Sequence, residues 1–326
     1  MLFSWFKKKG LKGEVFVLLL VSFVLVSCDS SDNASVQQVD SSARINEAEL
    51  AQLVRRNALQ AQDEYISRNI FYFGFDLRSS PQEDIAQYLP FLSYLESATG
   101  YKFKLYFTPK KSSIVEELGA HRVQFAAMGA VSFLKARSRY GAVSIAQGLN
   151  SENNAQYRSF FVVKPNSRVA KISDIRGRIL AFGNRNSTQG HLIPRIILSK
   201  NKISLNDLRS YEYTGSHQKC AEAVVSGKAD VCGMQDQLAR KLASQGAVKV
   251  IHRSAYYPSS GIVAGKSVPE EVVEKVKRAL LDFEPEGKHR QGLYHWDRTE
   301  MPKGFNNSGE NDYEELRLWL DKLGLL

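Results

Sequence analysis

Two short segments of the chain place hydrogen-bond donors between an apolar, strand-like run and the start of a predicted helix. One carries Ser187 and Thr188, and the other carries His217. Free backbone N–H groups and the positive end of the helix dipole make such a start an anion site, and each charge-assisted bond contributes about 1.5 to 3 kcal/mol. Binding near micromolar needs only about 8 kcal/mol. The residues therefore indicate oxyanion binding, although Ser and Thr before a helix are more often simple caps.

The elements that must position these donors follow from the pattern of apolar residues. From Ile70 onward, short apolar runs alternate with stretches of helical period, and one helix is predicted to bury Ile85, Leu89, Leu92 and Leu95 on a single face. The predicted strands are Ile70–Phe75, Phe103–Phe107, Val123–Met128, Val143–Ala146, Ser159–Val163, Ile179–Phe182, Arg209–Tyr213, Ala229–Cys232, Val248–His252 and Gly261–Ala264. Strands separated by helices predict an α/β fold with parallel sheets, and a region of this length predicts two lobes.

Several coupled motifs surround the candidate donors. In chain order they are Tyr157-Arg158-Ser159, Ser173 to Gly183, Ser187-Thr188-Gln189-Gly190, Ile193-Pro194-Arg195, Gly215-Ser216-His217, Ala223 to Asp230, Gly304-Phe305 and Asp312-Tyr313. In residue type, order and spacing, this set resembles the phosphonate, phosphite and phosphate binding proteins of ABC transporters, over about residues 70–326. The resemblance implies a two-lobed type II periplasmic-binding-protein fold. Its ligand would lie in the cleft between the lobes, at the carboxyl ends of strands.

The same resemblance implies roles for individual residues. By matching positions, Ser187, Thr188 and His217 would bind the oxyanion from one lobe, and Tyr157 would reach it from the crossover between lobes. Asp236 lies where such proteins read the non-phosphoryl end of the ligand, and a solvated helix position explains it equally well. The implied partners are a small oxyanion and an ABC permease. No cofactor, metal or catalytic residue is implied, and a monomer is expected.

The chain also departs from the usual pattern of that family. Gln189 stands where a smaller residue is common, which puts the tightness of the loop in question, and Lys110-Lys111-Ser112-Ser113 lacks the tyrosine often found in the first lobe. We expect both lysines to be solvated. Helix starts at Ser79-Ser80-Pro81 and at Gly129-Ala130 are expected to offer backbone donors from the first lobe. Lobe 1 is predicted to comprise residues 69–157 and 253–326, and lobe 2 residues 158–252.

The N-terminus predicts export and anchoring. Four lysines precede an apolar run, Val15–Val26, that is typical of a secretory signal over residues 1–27 and short for a membrane span. Leu25-Val26-Ser27-Cys28 resembles a lipoprotein processing box, so Cys28 is predicted to carry a lipid that holds the protein on the periplasmic side of the inner membrane. Residues 28–45 are predicted to be a flexible tether and residues 46–68 an amphipathic helix.

Composition narrows the function classes. After removal of residues 1–27 the chain keeps 40 basic and 33 acidic residues, a net charge of +7, without the concentrated basic block typical of nucleic-acid binding. The sequence has no nucleophile elbow, zinc-protease motif, phosphate-binding Walker loop or dinucleotide fingerprint, and its histidines lack metal-ligand spacing. A binding protein is therefore favoured over an enzyme.

Two alternatives stay open on the sequence alone. Cys220 and Cys232 either pair in an oxidising compartment or are separate buried thiols on a helix and a strand. The protein either feeds a permease or reports anion occupancy to a membrane signalling protein, as the tether and helix before the domain would also allow.

Overall fold

The computed structural model describes residues 69–76, 81–109, 111–309 and 311–326. The predicted signal sequence, lipidated Cys28, tether and helix 46–68 lie outside these residues, as do Ser79, Ser80 and Lys110. No helix in the described ranges combines the length and the apolar character needed to span a bilayer.

Lobe 1 is built around a six-stranded sheet whose strands come from both ends of the described chain. Its strands are β1 (Ile70–Phe75), β2 (Lys102–Leu105), β3 (Phe125–Met128), β4 (Val143–Gly148), β12 (Gly261–Ala264) and β13 (Phe305–Asn307), in the order β13-β4-β12-β3-β1-β2. The helices α1 (Pro81–Thr99), α2 (Ile114–Gly119), α3 (Ala130–Tyr140), α7 (Glu270–Leu281) and α8 (Glu314–Lys322) belong to the same segments of chain.

Lobe 2 is built around a five-stranded sheet. Its strands are β6 (Ser159–Val163), β7 (Ile179–Phe182), β8 (Ser210–Tyr213), β9 (Val231–Gln235) and β10 (Lys249–Arg253), in the order β10-β6-β9-β7-β8. The helices are α4 (Ile193–Lys200), α5 (His217–Ser226) and α6 (Asp236–Ser244). Strands β7 and β8 are parallel neighbours, with Phe182 opposite Tyr213, so the loops after them leave the sheet side by side.

The two-lobed α/β fold is confirmed, but the prediction of parallel sheets is wrong in part. Strand β12 runs antiparallel to β3 and β4, and β6 runs antiparallel to β9 and β10. Strands β12 and β6 each enter their sheet directly after the chain crosses from one lobe to the other, whereas β13, which is antiparallel to β4, follows other elements of lobe 1. A strand that arrives from the opposite lobe needs no crossover helix, so its direction is not set by the βαβ rule.

The chain passes between the two sheets at two neighbouring places. A two-residue strand, β5 (Gln156–Tyr157), pairs antiparallel with β11 (Tyr257–Pro258), so that Tyr157 lies opposite Tyr257. Just beyond, the backbone N–H of Ser254 donates to the Ser159 carbonyl oxygen at 2.9 Å, and the Ser254 hydroxyl accepts from the N–H of Ser159 at 2.9 Å. The two crossing segments are therefore hydrogen-bonded to each other.

The buried face of α1 differs from the predicted one. Leu89 is 49% exposed, whereas Tyr88, Phe91, Leu92 and Leu95 are buried. Phe91 packs against Trp296 with ring centroids 4.8 Å apart, so aromatic contacts rotate the helix away from the expected leucine stripe.

The two cysteines pair in this structure. Cys220 on α5 and Cys232 on β9 form a disulfide, with their Cα atoms 5.7 Å apart and both side chains fully buried. The bond attaches the helix that begins at His217 to a central strand of the lobe 2 sheet.

Candidate functional site

The loop between β7 and α4 is shaped by a serine cap. Ser187 precedes a π-helical turn, Thr188–Leu192, and its Oγ accepts the N–H of Gly190 at 2.9 Å. A side chain at position 190 would bring a Cβ within 2.9 Å of the His217 ring and 3.0 Å of Ser187 Oγ. Glycine is therefore required there, because it lets the turn approach the second loop closely.

His217 begins α5 and lies beside this turn. Its Nδ1 accepts the backbone N–H of Gln235 at 3.3 Å, and its Nε2 lies 3.5 Å from Ser187 Oγ. An Nδ1 that accepts a hydrogen bond carries no proton, so in the neutral ring Nε2 holds the hydrogen. The imidazole therefore directs an N–H donor toward Ser187, and the two predicted helix starts meet at one place.

Thr188 joins the two lobes. Its side chain is 3% exposed, and Oγ1 accepts the backbone N–H of Val131, near the start of α3, at 3.1 Å. A hydroxyl that accepts a bond still has its own hydrogen to donate. The N–H of Gly129 donates to Asp76 Oδ2 at 2.9 Å. The expectation that the Gly129-Ala130 helix start offers backbone donors to a ligand is thus wrong for these two amides, because protein oxygens already accept from them.

The predicted oxyanion residues line one cleft. Tyr157, Ser187, Thr188 and His217 all face a space of about 660 Å³ between the lobes. Tyr157 is 6% exposed, at the end of β5 where the chain crosses to lobe 2. Lys111 is exposed and is not among the cleft-lining residues of the described chain, which agrees with a solvated side chain.

Asp236 lies in a different space from the other four residues. It lines a small cavity of about 70 Å³, which adjoins the cleft through the shared residues Tyr157, Gln189 and Glu300. Burial raises the pKa of the Asp236 carboxyl, and the charge of Arg240 opposes that rise. Asp236 is therefore half-buried at the start of α6.

The contacts of Gln189 account for the larger side chain at this position of the family pattern. Its side chain is 4% exposed, and Nε2 donates to the Arg158 carbonyl oxygen at 2.8 Å and to Asp236 Oδ1 at 3.3 Å. The hydroxyl of Ser159 donates to the Gln189 carbonyl oxygen at 2.6 Å. The larger residue does not loosen the loop, because it ties the loop to the crossover and to Asp236.

A second histidine, His191, is hydrogen-bonded to the same loop and to strand β8. His191 is buried, its Nδ1 lies 2.7 Å from the Arg185 carbonyl oxygen, and its Nε2 lies 3.0 Å from the Tyr213 hydroxyl. Burial lowers the pKa of His191 to about 4. The neutral ring donates from Nδ1 to the carbonyl and accepts from Tyr213, so it fixes the course of residues 185–191.

With this geometry in place, comparison with known proteins decides the family. Residues 73–309 match the family described as "ABC transporter, phosphonate, periplasmic substrate-binding protein". The chain belongs to this family. The phosphonate-binding family is one of substrate-binding transport proteins, and the resemblance seen in the sequence motifs is thereby confirmed.

Two known proteins are similar in sequence. The phosphonates-binding periplasmic protein of Escherichia coli is 28% identical over 221 residues, which cover 65% of each chain. The "probable ABC transporter phosphite binding protein PhnD1" of Prochlorococcus marinus is 25% identical over 174 residues, covering 50% of this chain and 52% of PhnD1. The match thus spans less than two thirds of the length of either relative.

Solved structures show the same fold. PhnD1 of Prochlorococcus marinus in complex with methylphosphonate superposes with a TM-score of 0.70 at 18% identity, covering 79% of this chain and all of PhnD1. A binding component of an ABC phosphonate transporter from Pseudomonas aeruginosa gives a TM-score of 0.67 at 22% identity, covering 77% and 85% of the two chains.

Among the cleft residues that were not predicted from the sequence are Asp76, Ser260 and Glu300. Asp76 follows β1 directly, and its Oδ1 accepts from the Ser132 hydroxyl at 3.0 Å. Ser260 precedes β12 and donates a short hydrogen bond to Glu300. Asp76 was detectable, since it stands at the carboxyl end of a strand that pairs in parallel. Ser260 and Glu300 carry no local signal. No three His, Cys, Asp or Glu side chains are grouped as a metal site requires anywhere in the ranges that the structure describes.

Proposed function

We propose that this protein binds a phosphate, phosphonate or phosphite type oxyanion between its two lobes and delivers it to an ABC permease. The observation that carries the proposal is the convergence of Ser187, Thr188 and His217 on one cleft. Three donors of this kind, each worth about 1.5 to 3 kcal/mol to a charged acceptor, supply a large part of the roughly 8 kcal/mol that micromolar binding needs.

Each donor has a defined part in this proposal. His217 donates from Nε2, because Gln235 holds Nδ1 as an acceptor. Thr188 donates its hydroxyl hydrogen to the anion while it accepts from Val131, so one side chain contacts both the ligand and lobe 1. Tyr157 reaches the anion from the crossover, and Asp236 reads the other end of the ligand through the small cavity beside the cleft.

The cellular setting of the proposal rests on the N-terminal sequence. A lipid on Cys28 would hold the binding domain at the periplasmic face of the inner membrane, beside its permease. Replacing Cys28 by Ser should release the protein from the membrane fraction and abolish incorporation of a labelled fatty acid. Retention of both in Cys28→Ser would contradict the anchor.

Calorimetry on the purified protein tests the ligand assignment. Phosphate, phosphite, methylphosphonate, aminoethylphosphonate and sulfate are titrated in turn, and at least one phosphorus oxyanion is expected to bind at about micromolar concentration or below. Ser187→Ala and His217→Ala should each weaken that binding by about 1 to 3 kcal/mol.

The matched control is Ser226→Ala. Ser226 lies at the far end of α5, is exposed, and donates to the Ala223 carbonyl oxygen within its own helix. Its replacement should leave the affinity unchanged. Absence of binding by every phosphorus oxyanion, or equal affinity in wild type, Ser187→Ala and His217→Ala, would rule out the proposed site.

A further inference from the structure

The cleft is larger than a simple tetrahedral oxyanion, even though the lobes are in contact across it. Thr188 Oγ1 accepts from Val131 at 3.1 Å, and Lys135 Nζ donates to Asn186 Oδ1 at 3.0 Å. Near the crossover, a further ion pair joins Arg240 in lobe 2 to Glu152 at 3.6 Å. With these contacts made, the cleft still has a volume of about 660 Å³. Spaces of about 300 to 1,000 Å³ typically hold whole organic ligands.

The lining of the cleft indicates what fills the remaining space. Within the described residues it comprises eight serine and threonine hydroxyls and seven asparagine and glutamine side chains, against three hydrocarbon side chains, those of Phe75, Ile114 and Leu238. Two tyrosines, Tyr88 and Tyr157, also line the cleft, and much of its exposed surface is carbon, but most of its side chains end in a hydrogen-bonding group. A wall of amides and hydroxyls both donates and accepts hydrogen bonds, which matches the hydroxyl groups of a polyol.

Polar atoms of both lobes also surround a single point next to Thr188. A methyl group built on Gly129 would lie 3.5 Å from Thr188 Oγ1, 3.7 Å from Asp76 Oδ2 and 3.9 Å from Ser260 Oγ. Ser260 donates to the carboxylate of Glu300, which lines the same cleft. A carboxylate repels a bare oxyanion but accepts well from a hydroxyl group. The wall beside Thr188 is therefore suited to a hydroxyl-bearing substituent attached to the anion.

We propose that the preferred ligand is a phosphate monoester or phosphonate that carries a polyhydroxylated substituent of polyol or sugar size. Its oxyanion is bound at Ser187, Thr188 and His217, and its hydroxyl groups are bound by the Asp76, Ser260 and Glu300 wall. This assignment rests on the proposed function and specifies its substrate class.

A series of calorimetric titrations of the purified protein distinguishes the effect of substituent size on affinity from the effect of substituent hydroxyl groups. The probes are methylphosphonate, phenylphosphonate, glycerol phosphate, ribose phosphate and free glycerol. Glycerol phosphate or ribose phosphate should bind at least about tenfold more tightly than methylphosphonate, a difference of about 1.4 kcal/mol. Phenylphosphonate should gain nothing over methylphosphonate, and free glycerol should not bind measurably.

Two variants test whether Glu300 and Ser260 cause the expected preference for polyol phosphates. Glu300→Gln and, as a second change, Ser260→Ala should each weaken glycerol phosphate at least about fivefold more than methylphosphonate, since hydrogen bonds to charged groups are the stronger ones. Glu274→Gln, an exposed carboxylate on α7 away from the cleft lining, is the control and should change neither affinity. Thermal unfolding of each variant confirms that it is folded.

The outcomes distinguish this inference from the proposed function. Methylphosphonate that binds as tightly as both polyol phosphates, or phenylphosphonate that gains as much as they do, would overturn the substrate class and leave the oxyanion site intact. Failure of every phosphorus compound to bind would instead overturn the proposed function itself.

Discussion

Thr188 of lobe 2 accepts a hydrogen bond at Oγ1 from the backbone N–H of Val131 in lobe 1, at 3.1 Å. The residue that we propose to hold the anion is thus also a contact between the lobes. We therefore expect binding and closure to be coupled through one hydroxyl, because a ligand that orients the Thr188 hydrogen would also orient the lone pair that accepts from Val131.

Removal of that hydroxyl should weaken ligand binding. We expect Thr188→Ala to cost about 1 to 3 kcal/mol of binding free energy, since one charge-assisted bond and one contact between lobes are lost. Thr188→Ser keeps the hydroxyl and should retain most of the affinity. Calorimetry with the tightest oxyanion of the screen measures both variants, and equal affinity of Thr188→Ala and wild type would remove Thr188 from the site.

Asp236 should affect some ligands and spare others. It lines the small cavity and accepts from Gln189 at 3.3 Å, while the proposed oxyanion donors line the main cleft. We therefore expect Asp236→Asn to leave methylphosphonate binding within a factor of about two, and to weaken aminoethylphosphonate by about 1 kcal/mol or more, because an ammonium group loses its countercharge. A similar loss for both ligands would mean that Asp236 supports the loop rather than reading the substituent.

The Cys220–Cys232 disulfide should stabilise lobe 2. It closes a loop across a sequence separation of 12, for which a chain-entropy estimate is about 3 kcal/mol. The double change of Cys220 and Cys232 to Ser should therefore lower the free energy of unfolding by about 2 to 4 kcal/mol, as measured by denaturant titration. Wild type under a thiol reductant should approach the variant, and an unchanged unfolding midpoint in both would show that the bond contributes nothing.

His191 should make stability depend on pH in the acidic range. Burial lowers its folded-state pKa to about 4, below the ordinary value of 6.5. As pH falls from 6.5 toward 4 the unfolded chain takes up the proton first, so the contribution of the neutral ring, complete above pH 6.5, is lost across this window. The loss between pH 7 and pH 4.5 should be on the order of 2 kcal/mol.

Denaturant midpoints across that pH range check this prediction against His191→Gln, whose side chain does not titrate. The positive charges of Arg195, Lys135 and Arg185 act on His191 in the same direction as burial. A variant that loses stability on acidification as steeply as wild type would show that another group dominates.

The convergence of the two candidate loops could be predicted from the sequence because they follow neighbouring strands. Phe182 and Tyr213 lie opposite each other in a parallel pair, so the segments after them must emerge at the same edge of the sheet. The recurring order of strand, small polar loop and helix is a local pattern, and local patterns are what a single sequence carries.

The opposite wall of the cleft could not be predicted in this way. Asp76 and Ser260 are brought together by the pairing of β1 and β12 on either side of β3, and Glu300 reaches Ser260 from the segment before β13. Both arrangements depend on contacts between distant segments. The antiparallel strands were not predicted for the same reason. The apolar pattern of a strand does not show whether the chain enters that strand from the same lobe or from the other lobe. The exposed Leu89 reflects aromatic packing around Phe91, which propensity alone does not determine.

The bridge between Tyr157 and Tyr257 has a mechanical consequence. Because the chain's two passages between the lobes lie side by side and are hydrogen-bonded to each other, we expect the lobes to move mainly by rotation about this short segment. Rotation toward closure ends where the lobes meet, as Thr188 meets Val131. Substitutions at crossing residues that do not line the cleft, such as Ser254 and Tyr257, are therefore expected to change the rates of ligand capture and release while leaving the cleft lining unchanged.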